Sequence, residues 1–231
     1  MSAPILYFAP QTCTRVALTA LEEIGAPFET RLVAFLAGEH RSPAFLAVNP
    51  SGKVPALVTA DGTIAQNGAI LGYLDATHPE AGLLPRRDSA AGRAAVLSEL
   101  FRCSSDLHPL VTRFVMPQLM TSDEAGASHI RARAREGLEF QLAPLEERLG
   151  RQDWCFGEGW SILDAYLAWI WFRVTGAGFG ADRFPAVAAH FERASARPSA
   201  RAALGHEARA QDELKRRGLF FEPPTNLNRE E

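Results

Sequence analysis

The hydropathy pattern of this chain changes once along its 231 residues, and that change constrains the fold more than any single motif. Up to about residue 80, strand and helix signals alternate; beyond residue 88, strand signals nearly vanish. Ile5-Leu6-Tyr7-Phe8-Ala9 is a short apolar run stopped by Pro10, the pattern of a buried strand. From Thr14 to Ile24, the residues Val16, Ala17, Ala20, Leu21 and Ile24 recur at helical spacing, and Gly25 supplies a C-terminal stop. Phe28 to Val33 reads as a second strand. Ala56-Leu57-Val58-Thr59 and Thr63-Ile64-Ala65 flank Ala60-Asp61-Gly62, and Asp-Gly between two apolar runs signals a hairpin. A helix is then expected from about Asn67 to Thr77, ending before Pro79.

Strand, helix, strand, irregular segment, strand, strand, helix predicts a four-stranded mixed sheet with helices packed on it, the thioredoxin-like arrangement, over residues 1–80. Pro79 to Asp88 carries prolines, a glycine and charges, as a linker does. Ser89 to about Met120 is helical in pattern, with Pro109 and Pro117 expected to bend or interrupt it. Further helices are expected from Glu124 to Leu149, from Ser161 to Thr175, from Phe184 to Ala196 and from Ser199 to Arg217. The third-last of these is the most apolar, and its Tyr166, Trp169, Trp171 and Phe172 are expected in the core. The whole is an α/β domain followed by an all-α domain over residues 89–218, with a tail over 219–231 whose polar stretch from Glu222 is expected to be loosely ordered.

A formal net charge of -3 gives no reason to expect a nucleic-acid partner, and a small anionic ligand would have to be held by local positive features. Cys13, Cys103 and Cys155 are odd in number and far apart, so neither a disulfide framework nor a zinc site is expected. A reducing compartment follows. No basic-then-apolar leader is evident at the N-terminus and no run reaches the roughly 18 apolar residues of a membrane span, so a cytoplasmic location is expected.

Three segments carry candidate chemistry. Pro10-Gln11-Thr12-Cys13-Thr14-Arg15 lies between the first strand and the first helix, where free amides and the helix dipole favour an anion and lower the pKa of a thiol. Thr12 and Thr14 could donate a hydroxyl to a bound thiolate; the segment also suits a buried cysteine beside a threonine cap. There is no second cysteine of a Cys-x-x-Cys pair, which argues against internal disulfide chemistry. Asn49-Pro50-Ser51-Gly52-Lys53-Val54-Pro55 is a turn entering a strand, and a cis Val54–Pro55 bond would turn the Val54 main chain outward. Gln66-Asn67-Gly68-Ala69-Ile70 opens a helix with two amide side chains, able to cap it or to hold a carboxylate beside its free amides.

Together these segments resemble the glutathione S-transferase superfamily over nearly the whole chain. Leu6 to Cys13 looks like the bacterial beta-class opening, Val54-Pro55 like the family's cis-proline loop, and Gln66-Asn67-Gly68-Ala69-Ile70 like its Glu/Gln-Ser-x-Ala-Ile motif. Ser161-Ile162-Leu163-Asp164 matches the capping box of the central bundle helix, and Ser104 to His108 resembles a Ser-Glu-Leu-His stretch of beta-class members. The resemblance implies that Val54, with cis-Pro55, pairs with the cysteinyl part of glutathione, that Gln66 and Asn67 hold its γ-glutamyl carboxylate, and that Lys53 or His40 meets the glycyl carboxylate. Cys13 would lie near the glutathione sulfur, and Thr12, Cys13 or Thr14 would activate the thiol. His108, Val111, Thr112 and Val115, on one helical face, would wall the electrophile pocket. Asn67 stands where the family usually has serine, and Thr14 follows the cysteine in place of a serine. The implied activity is transfer of glutathione to a small hydrophobic electrophile by a homodimer, with glutathione as substrate and no metal. The alternatives are thiol transfer, lyase or reductive chemistry through Cys13, and a non-catalytic carrier of the same fold.

Overall fold

The structure is a computed structural model that describes residues 3–157 and 159–221. Among the described residues the chain divides into two compact units, one holding residues 3–84 together with 197–221, the other running from Pro85 to Ala196.

In the first unit, strand β1 (Ile5–Phe8) ends at Pro10 and leads into helix α1 (Thr14–Ile24). The crossover returns as strand β2 (Glu29–Leu32), parallel to β1 with Leu6 opposite Thr30 and Phe8 opposite Leu32. After a short helix α2 (Pro43–Leu46), strands β3 (Ala56–Thr59) and β4 (Gly62–Ala65) form the antiparallel hairpin expected from Asp61-Gly62, and helix α3 (Asn67–Thr77) follows. The sheet order is β2-β1-β3-β4, with β3 antiparallel to β1. Leu6 and Phe8 from the sheet, Leu57 from β3, and Ile70, Leu71 and Leu74 from α3 are buried together with Val16, Leu18 and Leu21 of α1. Full burial of each such side chain stabilises the fold by about 1.5–3 kcal/mol. Gly25 closes α1 with φ +71°, its N–H bonded to the Leu21 carbonyl, a conformation a side chain would strain.

Helix α1 is buried on more than one side, Leu18 and Thr19 included. Its second cover is the last described helix, which we number α9 (Pro198–Arg216). Arg15 of α1 makes a two-bonded ion pair with Glu207 (3.1 and 2.6 Å), Glu22 meets His206 at 2.7 Å, and Glu23 holds Arg197 and the Ser199 hydroxyl. The sequence reading placed this helix in the all-helical domain of residues 89–218; its contacts place it with the sheet, because its charged face complements that of α1. The expectation for the stretch from Glu222 to Glu231 lies outside the described residues.

The second unit begins with helix α4 (Ala90–Phe101), capped by the Ser89 hydroxyl. A π-helical turn over Arg102–Leu107 then leads into helix α5 (His108–Val115). Pro109 cannot donate to the carbonyl a turn behind it; the wider turn absorbs the lost bond and leaves the proline in the first turn of α5, where no donor is needed. Helix α6 (Glu124–Leu149) runs through Pro144. Helix α7 (Ile162–Thr175) is buried nearly all round, with Tyr166, Trp169 and Trp171 at most 3% exposed, and helix α8 (Pro185–Ser195) packs beside it. The capping box at the head of α7 is deeply buried. One Asp164 oxygen accepts the Ser161 N–H at 2.7 Å and the Ser161 hydroxyl at 3.1 Å; the other accepts the Cys155 N–H at 2.6 Å and His190 Nε2–H at 2.8 Å. Burial pushes the Asp164 carboxyl up, but these donors outweigh it and hold the group below the ordinary carboxylate value.

Candidate active site

Three loops of the first unit converge at the C-terminal end of β1. In the first, Gln11 adopts φ +62°, and Cys13 becomes the residue that opens α1. The hydroxyls of Thr12 and Thr14 each lie 2.8 Å from the Ala9 carbonyl and 2.9 Å from one another. Thr14 is fully buried and its hydroxyl is committed to this internal triangle, so of the two threonines only the half-buried Thr12 borders the exterior. The Cys13 Sγ lies 3.8 Å from the Val54 carbonyl and donates to it. Burial pushes this thiol up to about 12, more than a main-chain hydrogen bond lowers it. The lowering expected from a helix start is overridden because the sulfur sits behind protein on nearly every side and a thiolate there would lose its water.

The second loop is built by Asn49, which the sequence reading passed over. Buried to 4% exposure, it donates from Nδ2 to the Lys53 carbonyl at 2.6 Å and accepts at Oδ1 from the Ser51 N–H and hydroxyl. Asparagine ahead of Pro-Ser-Gly is the signal that could have found it, since a short amide closes such turns on the main chain. Gly52 has φ +61°, and a Cβ there would come within 3.2 Å of the His40 carbonyl. The Val54–Pro55 bond is cis. Lys53 is exposed, whereas the His40 ring stacks on Phe35 at 4.1 Å with a buried Nδ1 that has no partner.

The third loop ends at Gln66, exposed and held at φ +76° and ψ 126°. Gln11 and Gln66 are the two non-glycine residues with positive φ among those described, and both stand at this site. Such backbone costs about 1–3 kcal/mol each and persists where its surroundings over-determine it. Asn67 is 5% exposed; its Nδ2 donates to the Cys13 carbonyl at 2.8 Å, and its Oδ1 is buried without a partner. Asn67 therefore turns its side chain inward, leaving its own N–H and that of Gly68 in the first turn of α3 to favour an anion.

The four candidates on α5 belong to the second unit. His108 Nδ1 lies 3.2 Å from the Tyr166 hydroxyl, and its ring meets Trp169 edge-on at 4.7 Å. Thr112 hydrogen-bonds back to the His108 carbonyl at 3.4 Å. Val111 is only 3% exposed and packs in the bundle core, so the face of the helix divides: His108, Thr112 and Val115 are half-buried and Val111 is not. Tyr166 and Trp169 are buried as expected, yet they are also what holds the His108 ring.

A cavity of about 320 Å³ lies between β2 and α9, lined by Phe8, Leu32, His206 and Arg209 among others and by none of the candidate residues. Cys155, Asp164 and His190 bring three metal-ligand atoms within 4.8 Å of one another, but all four hydrogen bonds to Asp164 already occupy its carboxylate.

Among the described residues no helix is long and apolar enough to cross a membrane. The family model for the N-terminal domain of glutathione S-transferases matches residues 4–76, and that for the C-terminal domain matches residues 128–193. A maleylacetoacetate isomerase of Pseudomonas aeruginosa is 32% identical over 176 residues, 76% of this chain and 81% of the relative. A sphingomonad glutathione S-transferase solved in complex with glutathione is 32% identical with a TM-score of 0.77, covering 88% of this chain and 98% of its own. A bacterial beta-class glutathione S-transferase of Sphingomonas chungbukensis is 31% identical with a TM-score of 0.76, covering 88% and 98%.

Proposed function

Because the chain belongs to the glutathione S-transferase family, we propose that it binds glutathione where its three loops meet and transfers the thiol to a small hydrophobic electrophile. The observation that carries this reading is the convergence of the Cys13 thiol, the Val54 carbonyl and the opening of α3 in one place. The Val54 main chain pairs with the cysteinyl part of the tripeptide. The first-turn amides of α3 and the Gln66 side chain hold its γ-glutamyl carboxylate, and Lys53 meets the glycyl end. A free thiol has a pKa of about 8.5, and lowering it by two units requires roughly 2.7 kcal/mol of differential stabilisation. The start of α1 supplies it together with hydrogen bonds from Thr12 and Cys13, whose protons turn from the Ala9 and Val54 carbonyls onto the bound sulfur. With its own pKa near 12, Cys13 is a neutral S–H at physiological pH and serves as a donor; this favours conjugation over a mixed disulfide on Cys13.

A second reading is favoured by the isomerase relative. The glutathione thiolate adds to a conjugated double bond, the resulting single bond rotates, and elimination returns the thiolate with the isomerised product. Glutathione is consumed in conjugation and regenerated in isomerisation, so its stoichiometry separates the two.

The chain acts as a cytoplasmic homodimer in this reading. Leu97 and Phe101 on α4 and Phe140 on α6 are 48%, 57% and 78% exposed, and Arg102 bonds the Gln141 carbonyl at 2.8 Å, setting these side chains on adjoining helices as an apolar face. A Phe140→Glu variant that sediments as a monomer supports that face; an unchanged mass removes it.

The first test is calorimetry with glutathione on wild type and Gln66→Ala. Saturable binding, weakened at least tenfold in the variant, is expected. A folded wild type that takes up no glutathione overturns the reading.

A further inference from the structure

Asn67 is chemically over-built for a residue that merely opens a helix. Its amide spans from the start of α3 to the Cys13 carbonyl, 54 residues away in sequence, at 2.8 Å in a buried setting. The orientation is fixed, because a flipped amide would set oxygen against the carbonyl oxygen. The other end of the amide, Oδ1, has no partner, so the bond to Cys13 is what this side chain does. On either side of that bond stand the two strained turns, at Gln11 and at Gln66. The Cys13 carbonyl is also part of the α1 start, accepting the Val16 N–H at 3.2 Å, so a pull on it is a pull on the helix end that carries the thiol.

We propose that Asn67 is a positioning residue: it clamps the two strained turns to each other and thereby holds the Cys13 sulfur against the Val54 carbonyl, so that the thiol donor and the anion-binding amides of α3 stay in one fixed register. The inference rests on the glutathione reading for what occupies the site, but its readout needs no glutathione. Cys103 and Cys155 are equally buried free thiols of the other unit and serve as internal references.

The experiment is alkylation of the ligand-free, full-length chain by iodoacetamide between pH 7 and 10, with each cysteine followed by peptide mass mapping, in wild type, Asn67→Ser and Asn67→Ala. Serine is too short to reach the carbonyl and alanine removes the donor. With the clamp gone, Cys13 is expected to react at least tenfold faster and its pH profile to move down toward an ordinary thiol, while Cys103 and Cys155 stay within twofold. Cys13 rates and profiles within twofold of wild type in both variants overturn the proposal. A parallel rise at all three cysteines also overturns it, since that is general loosening. Failure of glutathione to bind wild type is read separately by calorimetry and bears on the function alone.

Discussion

At the scale of single residues, the site is governed by where protons are held. Cys13 keeps its proton because burial penalises the thiolate, and Thr14 keeps its own inside the Ala9 triangle. A Cys13→Ala variant is therefore expected to lose about ten- to a hundredfold in conjugation with an activated chloroarene, the loss of one hydrogen bond to a charged group being worth about 1.5–3 kcal/mol. A fall beyond a thousandfold in the conjugation assay would instead make Cys13 the nucleophile. The same protonation has a thermodynamic consequence. Cys13 and Cys103 both rise from 9.0 to about 12 through burial, so the folded chain binds protons that the unfolded chain releases. Their contribution is complete below pH 9 and is lost as pH climbs from 9 toward 12, at up to about 1.4 kcal/mol per pH unit for each thiol. Urea midpoints are expected to be level between pH 7.5 and 8.5 and to fall by pH 10.5, with a shallower fall in Cys103→Ala; identical slopes would remove the thiols as the cause.

At the scale of elements, two buried carboxylates do the most. Asp164 serves four donors at the head of α7, and Asp164→Ala strands all of them in the bundle core, so a loss of about 3–5 kcal/mol is expected from denaturant titration. Glu207 neutralises Arg15 from α9 at 4% exposure; Glu207→Ala removes both hydrogen bonds of that ion pair and is expected to cost about 3 kcal/mol by the same measurement. These elements differ in how far the sequence announced them. The Asp164 box was legible because a capping signal is local, three residues apart, as were the Pro10 stop, the Asp61-Gly62 hairpin and the Gly25 cap. Glu207 was not, since its partner lies 192 residues away and nothing in the amphipathic pattern of α9 says which surface its charges answer. The same holds for the Asn67–Cys13 bond: two residues already singled out, whose meeting only the fold reveals. The direction of the Thr14 hydroxyl, buried on the Ala9 carbonyl, is likewise something only the fold reveals.

At the scale of the whole molecule, the sheet unit is discontinuous. A chain ended at Leu84 contains the four strands of the described sheet and every candidate glutathione contact, and the sequence reading expected residues 1–80 to form that domain. It lacks α9, however, so one side of α1 is uncovered and the bonds of Arg15, Glu22 and Glu23 to that helix are lost. Fragment 1–84 is expected to show no cooperative thermal transition by circular dichroism, and the chain truncated after Ala196 to lose glutathione binding; a sharply melting 1–84 fragment would show α9 to be dispensable.

The return of the chain from Arg197 to the sheet also sets an order of events during synthesis. The strands of this unit leave the ribosome well before their cover, because the whole stretch from Pro85 to Ala196 must still be added before α9 begins to emerge. At about 5–20 residues per second the nascent sheet waits on the order of ten seconds for its cover. A message cut short anywhere in that interval yields a sheet unit whose helix α1 lacks its cover, so the proposed glutathione site is expected only in chains translated past α9.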